Sequence, residues 1–468
     1  MKRMIWATGI IFAAACLVGG CASLTRREGE RVAAGTPAVL AARSEGGGRV
    51  AVLWRASKEP AGIVEYRLYR RKAGEAFTLW KRFDASDVGP EVQSTAMVGA
   101  ASGEVYYFRM TSVLTGGQAL ETAPSTILGV RVQDSANEIL VVDDGPRGRS
   151  FDRTERVVAL YGDSLDQLRR SFDSCLSEAV LSGDIALADY SCVLWTCGAE
   201  GREPLTAEEQ ALLRAYLDQE GDLFICGSGM GPALAGRDAK PQSREFYQNY
   251  LKAYSEEDWR SLPARLEIEG DPDSPVWEKV KIRFDGAEEP SEGKRSPVRS
   301  PCRLEPYGGS EAVLYYAGVS GASAAAVAYV GNFATPNAFS RMVYLGVAWE
   351  ELSPGEQRTE LLKAVLRYLT KAGPLKPIGG VKGTVTDATT GRGLEAIEIR
   401  LLGGTNYLGV PVRTFTKEDG TFSLVALEGT YHLAAGAPGY RRAVVHNVHV
   451  RSQRPFEVSV ALEPMSKR

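Results

Sequence analysis

The chain has 468 residues, a formal net charge of −3, 44% hydrophobic residues and 24% charged residues. That length allows about three domains of ordinary size, and the mixture is that of a soluble globular protein. A near-neutral balance supplies neither a basic field for nucleic acid nor a polybasic patch for a membrane surface.

In chain order, Lys2 and Arg3 come first, then an apolar run from Met4 to Val18, then Gly19, Gly20 and Cys21. A positive start, a short apolar middle and small residues make a secretory signal. The run is too short to cross a bilayer comfortably as a permanent helix. The segment resembles the lipobox of bacterial lipoproteins. The resemblance implies that residues 1–20 are removed and that Cys21 becomes the lipid-bearing first residue, with acyl groups such as palmitate. The protein would then sit on a membrane of the cell envelope. Ala22 and Ser23 lack the aspartate that resembles an inner-membrane retention signal, which favours the outer membrane in a cell that has one. No second apolar stretch is long enough to span, so lipid on Cys21 is the expected anchor. Residues 21–35 read as a polar tether.

Seven cysteines are present, and five lie beyond Cys21: Cys175, Cys192, Cys197, Cys226 and Cys302. Their spacing gives no CxxC and no zinc pattern. Apolar neighbours predict buried thiols.

Residues 36–133 show short alternating strands, including Val50–Trp54, Glu65–Arg70 and Val105–Val113. This segment resembles a fibronectin type III β-sandwich, with Trp54 on an early core strand, Tyr66 and Tyr69 on another, and Tyr106 with Phe108 at the tyrosine corner. In that corner the hydroxyl bonds back to the main chain.

Residues 138–371 alternate strands and helices. Ile139–Val142, Cys192–Thr196, Asp222–Cys226 and Met342–Leu345 are apolar runs suited to strands buried on both faces. Arg153–Arg170 has helical period. Thr206–Glu209 is a capping box that opens a helix with Leu212, Leu213, Tyr216 and Leu217 inward. Ser353–Glu356 caps a last helix, with Pro354 expected at its first position. Residues 286–301 read as an exposed loop. Such alternation predicts a doubly wound parallel α/β sheet. The runs ILVVDD, LTAEEQALLRAYLDQEGDLFICGSG and MVYLGVAWEEL resemble the flavodoxin-type, class I glutamine amidotransferase-like domains of secreted bacterial proteins.

Residues 378–464 return to alternation, with Asp-Gly and Pro-Gly turns. Gly383, Asp387, Asp419-Gly420 and Gly439-Tyr440 resemble the landmarks of the carboxypeptidase regulatory-like domain, a small transthyretin-like β-sandwich. The fold class is thus multidomain: β-sandwich, doubly wound α/β sheet, small β-sandwich.

Chemistry turns on histidine placement. The three histidines, His432, His446 and His449, all lie in the last segment, and the α/β segment has none. Gly162–Leu165 spells the GDSL hydrolase signature, but no histidine follows an aspartate by three, so it reads as a coincidence on a helix. Cys226 sits where the resemblance puts an amidotransferase nucleophile, but the elbow reads Phe-Ile-Cys-Gly-Ser and lacks its first glycine. A partner imidazole is not available locally. Gly227, Ser228 and Gly229 are a candidate anion cradle with the wrong spacing for a dinucleotide loop. Asp143 and Asp144 end the first strand of the sheet, where open α/β sheets bind ligands. His446 and His449, three apart, are expected on opposite faces of a strand and at the surface, unable to share a metal. Neither a metal nor a cofactor is expected.

These features predict an envelope lipoprotein that binds or scaffolds glycan or protein partners without catalysis. One alternative is an envelope hydrolase or amidase using Cys226 or Asp143 and Asp144. Another is a structural spacer.

Overall fold

The computed structural model describes residues 35–465, apart from 116–119, 145–156, 199–203, 255–266, 273, 285–300, 320–322, 334–338, 354, 371–377, 406–410 and 453. Cys21, the tether up to residue 34, Pro354 and residues 286–300 of the loop expected over 286–301 lie outside the described residues. Among the described residues, no helix is long and apolar enough to cross a membrane.

The N-terminal unit is a two-sheet sandwich. Strands β1 (Ala38–Gly46), β2 (Arg49–Arg55) and a later fifth strand (Gln93–Met97) form one sheet. The other is built on β3 (Ile63–Lys72), β4 (Thr78–Asp84) and, after β5 (Gln93–Met97), β6 (Val105–Leu114), with β7 (Leu120–Glu121) and β8 (Leu128–Arg131) also paired to β6. Trp54 lies between them, its ring 4.6 Å from Phe83 and 6.0 Å from Tyr66. The expected tyrosine corner is not formed. The Tyr106 hydroxyl donates to the Glu104 carboxylate two residues away instead of to a main-chain carbonyl.

The parallel strands are β9 (Ile139–Asp143), β10 (Asp173–Leu176), β11 (Cys192–Thr196), β12 (Asp222–Cys226) and one late strand, Ser340–Leu345. The remaining strands of this unit are β13 (Ala253–Tyr254), β14 (Glu267–Gly270), β15 (Lys281–Arg283), β16 (Glu305–Pro306), β17 (Glu311–Tyr316) and β18 (Ala324–Gly331), which makes Ser340–Leu345 β19. The parallel order is β10-β9-β11-β12-β19, so strand order reverses between β9 and β11. This is the 2-1-3-4-5 order of doubly wound sheets. Helices α1 (Val157–Gln167), α2 (Ser177–Leu181), α3 (Ala207–Leu217), α4 (Met230–Ala235), α5 (Pro241–Asn249) and α6 (Glu356–Thr370) accompany it. Thr206 and Glu209 form the capping box of α3, and Leu213, Tyr216 and Leu217 are buried. Helix α6 starts at Glu356, one residue past the positive-φ Gly355, so the expected proline start falls outside it.

The sandwich and the α/β unit are not separate bodies. Strand β1 pairs antiparallel with β10, Ala41 opposite Cys175, which merges β1, β2 and β5 into a twelve-stranded sheet. One apolar core runs from Val39 to Leu369. Pairing β1 to β10 satisfies main-chain groups that two free sheet edges would expose. Asp173 pins the seam, accepting from Ser44 N at 2.8 Å, Asn137 Nδ2 at 2.6 Å and Tyr190 OH at 2.9 Å.

The C-terminal unit is a second sandwich. Strands β20 (Ile378–Asp387), β21 (Glu398–Thr405), β22 (Pro411–Phe415), β23 (Thr421–Leu427), β24 (Gly429–Gly436), β25 (Ala443–Val450) and β26 (Phe456–Leu462) make sheets β23-β20-β26 and β22-β21-β24-β25. It has its own core around Val385, Ile399, Leu433 and Leu462. Asp387 accepts from Thr389 N and Thr390 N and from Tyr440 OH, each at 2.8 Å, joining two of the landmark positions. The unit docks on the α/β unit by two main-chain bonds, Gly309 N to Thr430 O at 3.2 Å and Thr430 N to Ser310 O at 3.1 Å. A Cβ on Gly429 would stand 2.4 Å from Gly309 O, so this approach requires glycine.

Candidate functional site

Cys226 is the last residue of β12, in regular register with Thr196 and Leu345. Its φ is not among the positive ones, so it lacks the strained turn of a nucleophile elbow. The thiol is fully buried. Its sulfur lies 3.3 Å from Tyr161 OH and 3.7 Å from Thr196 Oγ1. Tyr161 is in turn roofed by Trp349, with stacked rings 4.3 Å apart. Burial pushes the thiol up to about 12, against weaker opposing hydrogen bonds from Tyr161 and Thr196. A thiol so placed is almost entirely protonated near neutral pH and is a poor nucleophile. None of the five described cysteines forms a disulfide, and all are buried. Gly162–Leu165 lies within α1, where Ser164 Oγ accepts from Thr359 Oγ1 at 3.3 Å.

Asp143 and Asp144 stand at the carboxyl ends of the parallel strands, beside the point where strand order reverses. Both are buried. Ser177 Oγ donates to Asp144 at 3.0 Å, and Asp144 N donates to Thr196 O. Gly227, Ser228 and Gly229 are buried as well. Ser228 Oγ donates to Glu351 Oε2 at 2.6 Å and accepts from Ala348 N at 3.0 Å. The loop therefore holds a carboxylate of its own chain where a cradle would hold an anion. Its Gly229, at φ 74°, turns the chain from β12 into α4.

The histidines lie elsewhere. His432, on β24, is 2% exposed and ringed by Tyr254, Tyr307 and His446, with centroids 6.1, 5.7 and 4.7 Å away. Burial holds its imidazole down at about 4, so the ring is neutral. His449 and His446 are exposed. They are not on opposite faces. Strand β25 carries an extra residue at Asn447, φ 56°, so Tyr431 faces Val448 and Leu433 faces Val445. That bulge returns His446 and His449 to one face. His449 Nδ1 meets Thr430 Oγ1 at 3.1 Å, while His446 meets His432. Glu305 joins this pair, its carboxylate and the two imidazoles having ligand atoms within 4.8 Å of one another. Sequence reasoning missed this grouping because Glu305 is remote in the chain and the bulge reverses the strand's parity. The available signal was His432 alternating between core residues Tyr431 and Leu433.

A cavity of about 650 Å³ opens at the amino edge of the parallel strands, lined among others by Val180, Ile185, Leu187, Tyr190, Leu212 and Tyr216. It lies at the end of the sheet opposite Asp143 and Cys226.

Comparison with known proteins relates the C-terminal unit to a known domain. Residues 380–463 match the model of the carboxypeptidase regulatory-like domain. Over 85 residues the chain is 32% identical to carboxypeptidase D of Rattus norvegicus, covering 18% of this chain and 6% of that one. The chain thus spans a small fraction of the length of that relative. Among solved structures, the chicken CNTN1 FN1–FN3 domains cover 88% of this chain and 98% of theirs at 10% identity, with a TM-score of 0.16, too low to relate the folds. The described residues beyond that match are also rich in β-structure. The chain carries a carboxypeptidase regulatory-like domain at its C-terminus.

Proposed function

We propose that this chain is a lipid-anchored protein of the cell envelope whose folded units bind or scaffold glycan or protein partners. In this reading Cys21 bears the lipid. The N-terminal sandwich is fibronectin type III-like, and the α/β unit is an amidotransferase-like fold that works without catalysis. The observation that carries the reading is the Cys226 centre: a sealed thiol bonded to Tyr161 and Thr196, with the chain's histidines at Tyr254, Tyr307 and Thr430. Acyl transfer by cysteine needs a thiolate and a proton shuttle, and neither is assembled there. The merged sheet supports a scaffold role, since a continuous core resists relative motion of the first two units. The apolar cavity at the amino edge is a concave surface of the size that ligands and partner side chains occupy.

The test is a glycan-array and envelope pull-down screen with a soluble chain lacking residues 1–21. Saturable binding to a defined glycan or recovery of a defined envelope protein supports the reading. Absence of both favours a spacer, and turnover of an amide or glycosidic bond would overturn it.

A further inference from the structure

His432 is buried, yet neither Nδ1 nor Nε2 has a hydrogen-bond partner. A neutral imidazole carries one donor and one acceptor, and burying both unsatisfied is costly. Such a residue on a well-packed strand calls for an occupant of its ring edge. The neighbours indicate which. His446 lies beside it on β25, brought round by the bulge at Asn447, and Glu305 approaches from β16 of the α/β unit.

We propose that Glu305, His432 and His446 form a binding site for a divalent transition-metal cation, zinc being the best match. Two imidazoles and one carboxylate are a borderline donor set. Calcium and magnesium prefer oxygen ligands throughout, and copper(I) prefers thiolate or thioether sulfur. Zinc accepts nitrogen and oxygen together, and three protein ligands leave its fourth position to water or an exogenous group. Ligand atoms around a tetrahedral zinc ion stand roughly 3.3 Å apart, and here they lie within 4.8 Å of one another. Closing that gap needs rotation of the exposed His446 and a small advance of Glu305. His432 is already fixed between Tyr254 and Tyr307. The site straddles the seam where Thr430 bonds Gly309 and Ser310. A bound ion therefore ties the α/β unit to the C-terminal sandwich.

The experiment is equilibrium dialysis of the full chain against Zn²⁺ with a competing chelator, alongside the absorption spectrum of the Co²⁺ form. One equivalent of zinc should bind, with visible cobalt bands and no near-ultraviolet thiolate charge-transfer band. His446→Ala, at an exposed position, and Glu305→Gln should each weaken binding roughly tenfold or more. His449→Ala, exposed and outside the site, should bind as the wild type does. The proposal is overturned if wild type binds no stoichiometric zinc, if His446→Ala binds as tightly, or if a thiolate band places the metal on cysteine.

Discussion

The buried thiol at Cys226 makes a quantitative prediction. Near pH 7.5 an ordinary cysteine is about one-tenth thiolate. With its thiol pushed up to about 12, Cys226 is roughly 3 parts in 100,000 thiolate, about 3,000-fold less. Full burial adds a second gate, because reagent must wait for the core to open. The perturbation is an aromatic disulfide reagent added to a soluble chain lacking residues 1–21, in which Cys175, Cys192, Cys197, Cys226 and Cys302 remain. In buffer, colour should develop only at the rate of opening. In urea all five thiols should react promptly. Cys226→Ala should reduce the urea count by one and leave the native trace unchanged. A single thiol reacting rapidly in the native protein, mapped to Cys226 by peptide mass spectrometry, would refute the reasoning and reveal an activated nucleophile.

Further outcomes follow from the same geometry. Burial raises the Asp173 carboxyl to about 6, above its unfolded value, so its contribution is fully present below the unfolded value. That contribution is lost as pH rises through about 6. It amounts to at most on the order of 2–3 kcal/mol. Urea unfolding at pH 5 and pH 7.5 should show a smaller pH difference for Asp173→Asn than for wild type; an equal difference would clear Asp173. Because one core spans Val39 to Leu369 and another serves the last sandwich, calorimetry should resolve two transitions. Three transitions would mean that the β1–β10 seam does not couple the first two units. Gly429→Val forces a side chain onto Gly309 O and should loosen docking, read as new protease cleavage between the last two units; an unchanged digestion pattern would contradict this. Cys21→Ala should move the full chain from the membrane to the soluble fraction, and unchanged membrane retention would remove the lipid reading.

Local structure was largely legible in the residues. Apolar runs marked β9, β11 and β12 because strands buried on both faces need no polar alternation. The capping box at Thr206 and Glu209 fixed the start of α3 from four residues alone. Asp387 and Tyr440 stood out as landmarks, and the structure joins them. What escaped was long-range. Nothing in the strand pattern around Ala41 says that its partner is Cys175, since edge pairing is decided by main-chain groups common to every residue. The Tyr106 hydroxyl found Glu104, a competitor two residues away. A single left-handed residue, Asn447, reversed the facing of His446 relative to His449, and simple alternation counting does not see a bulge.

The central claim, that the α/β unit binds or scaffolds without catalysis, is tested most directly by mass spectrometry of material released from an envelope fraction. The fraction would be incubated with wild type and, in parallel, with a Cys226→Ala, Asp143→Asn, Asp144→Asn variant of the same folded content. The account predicts identical release from both. Fragments freed by wild type and missing with the variant would contradict it.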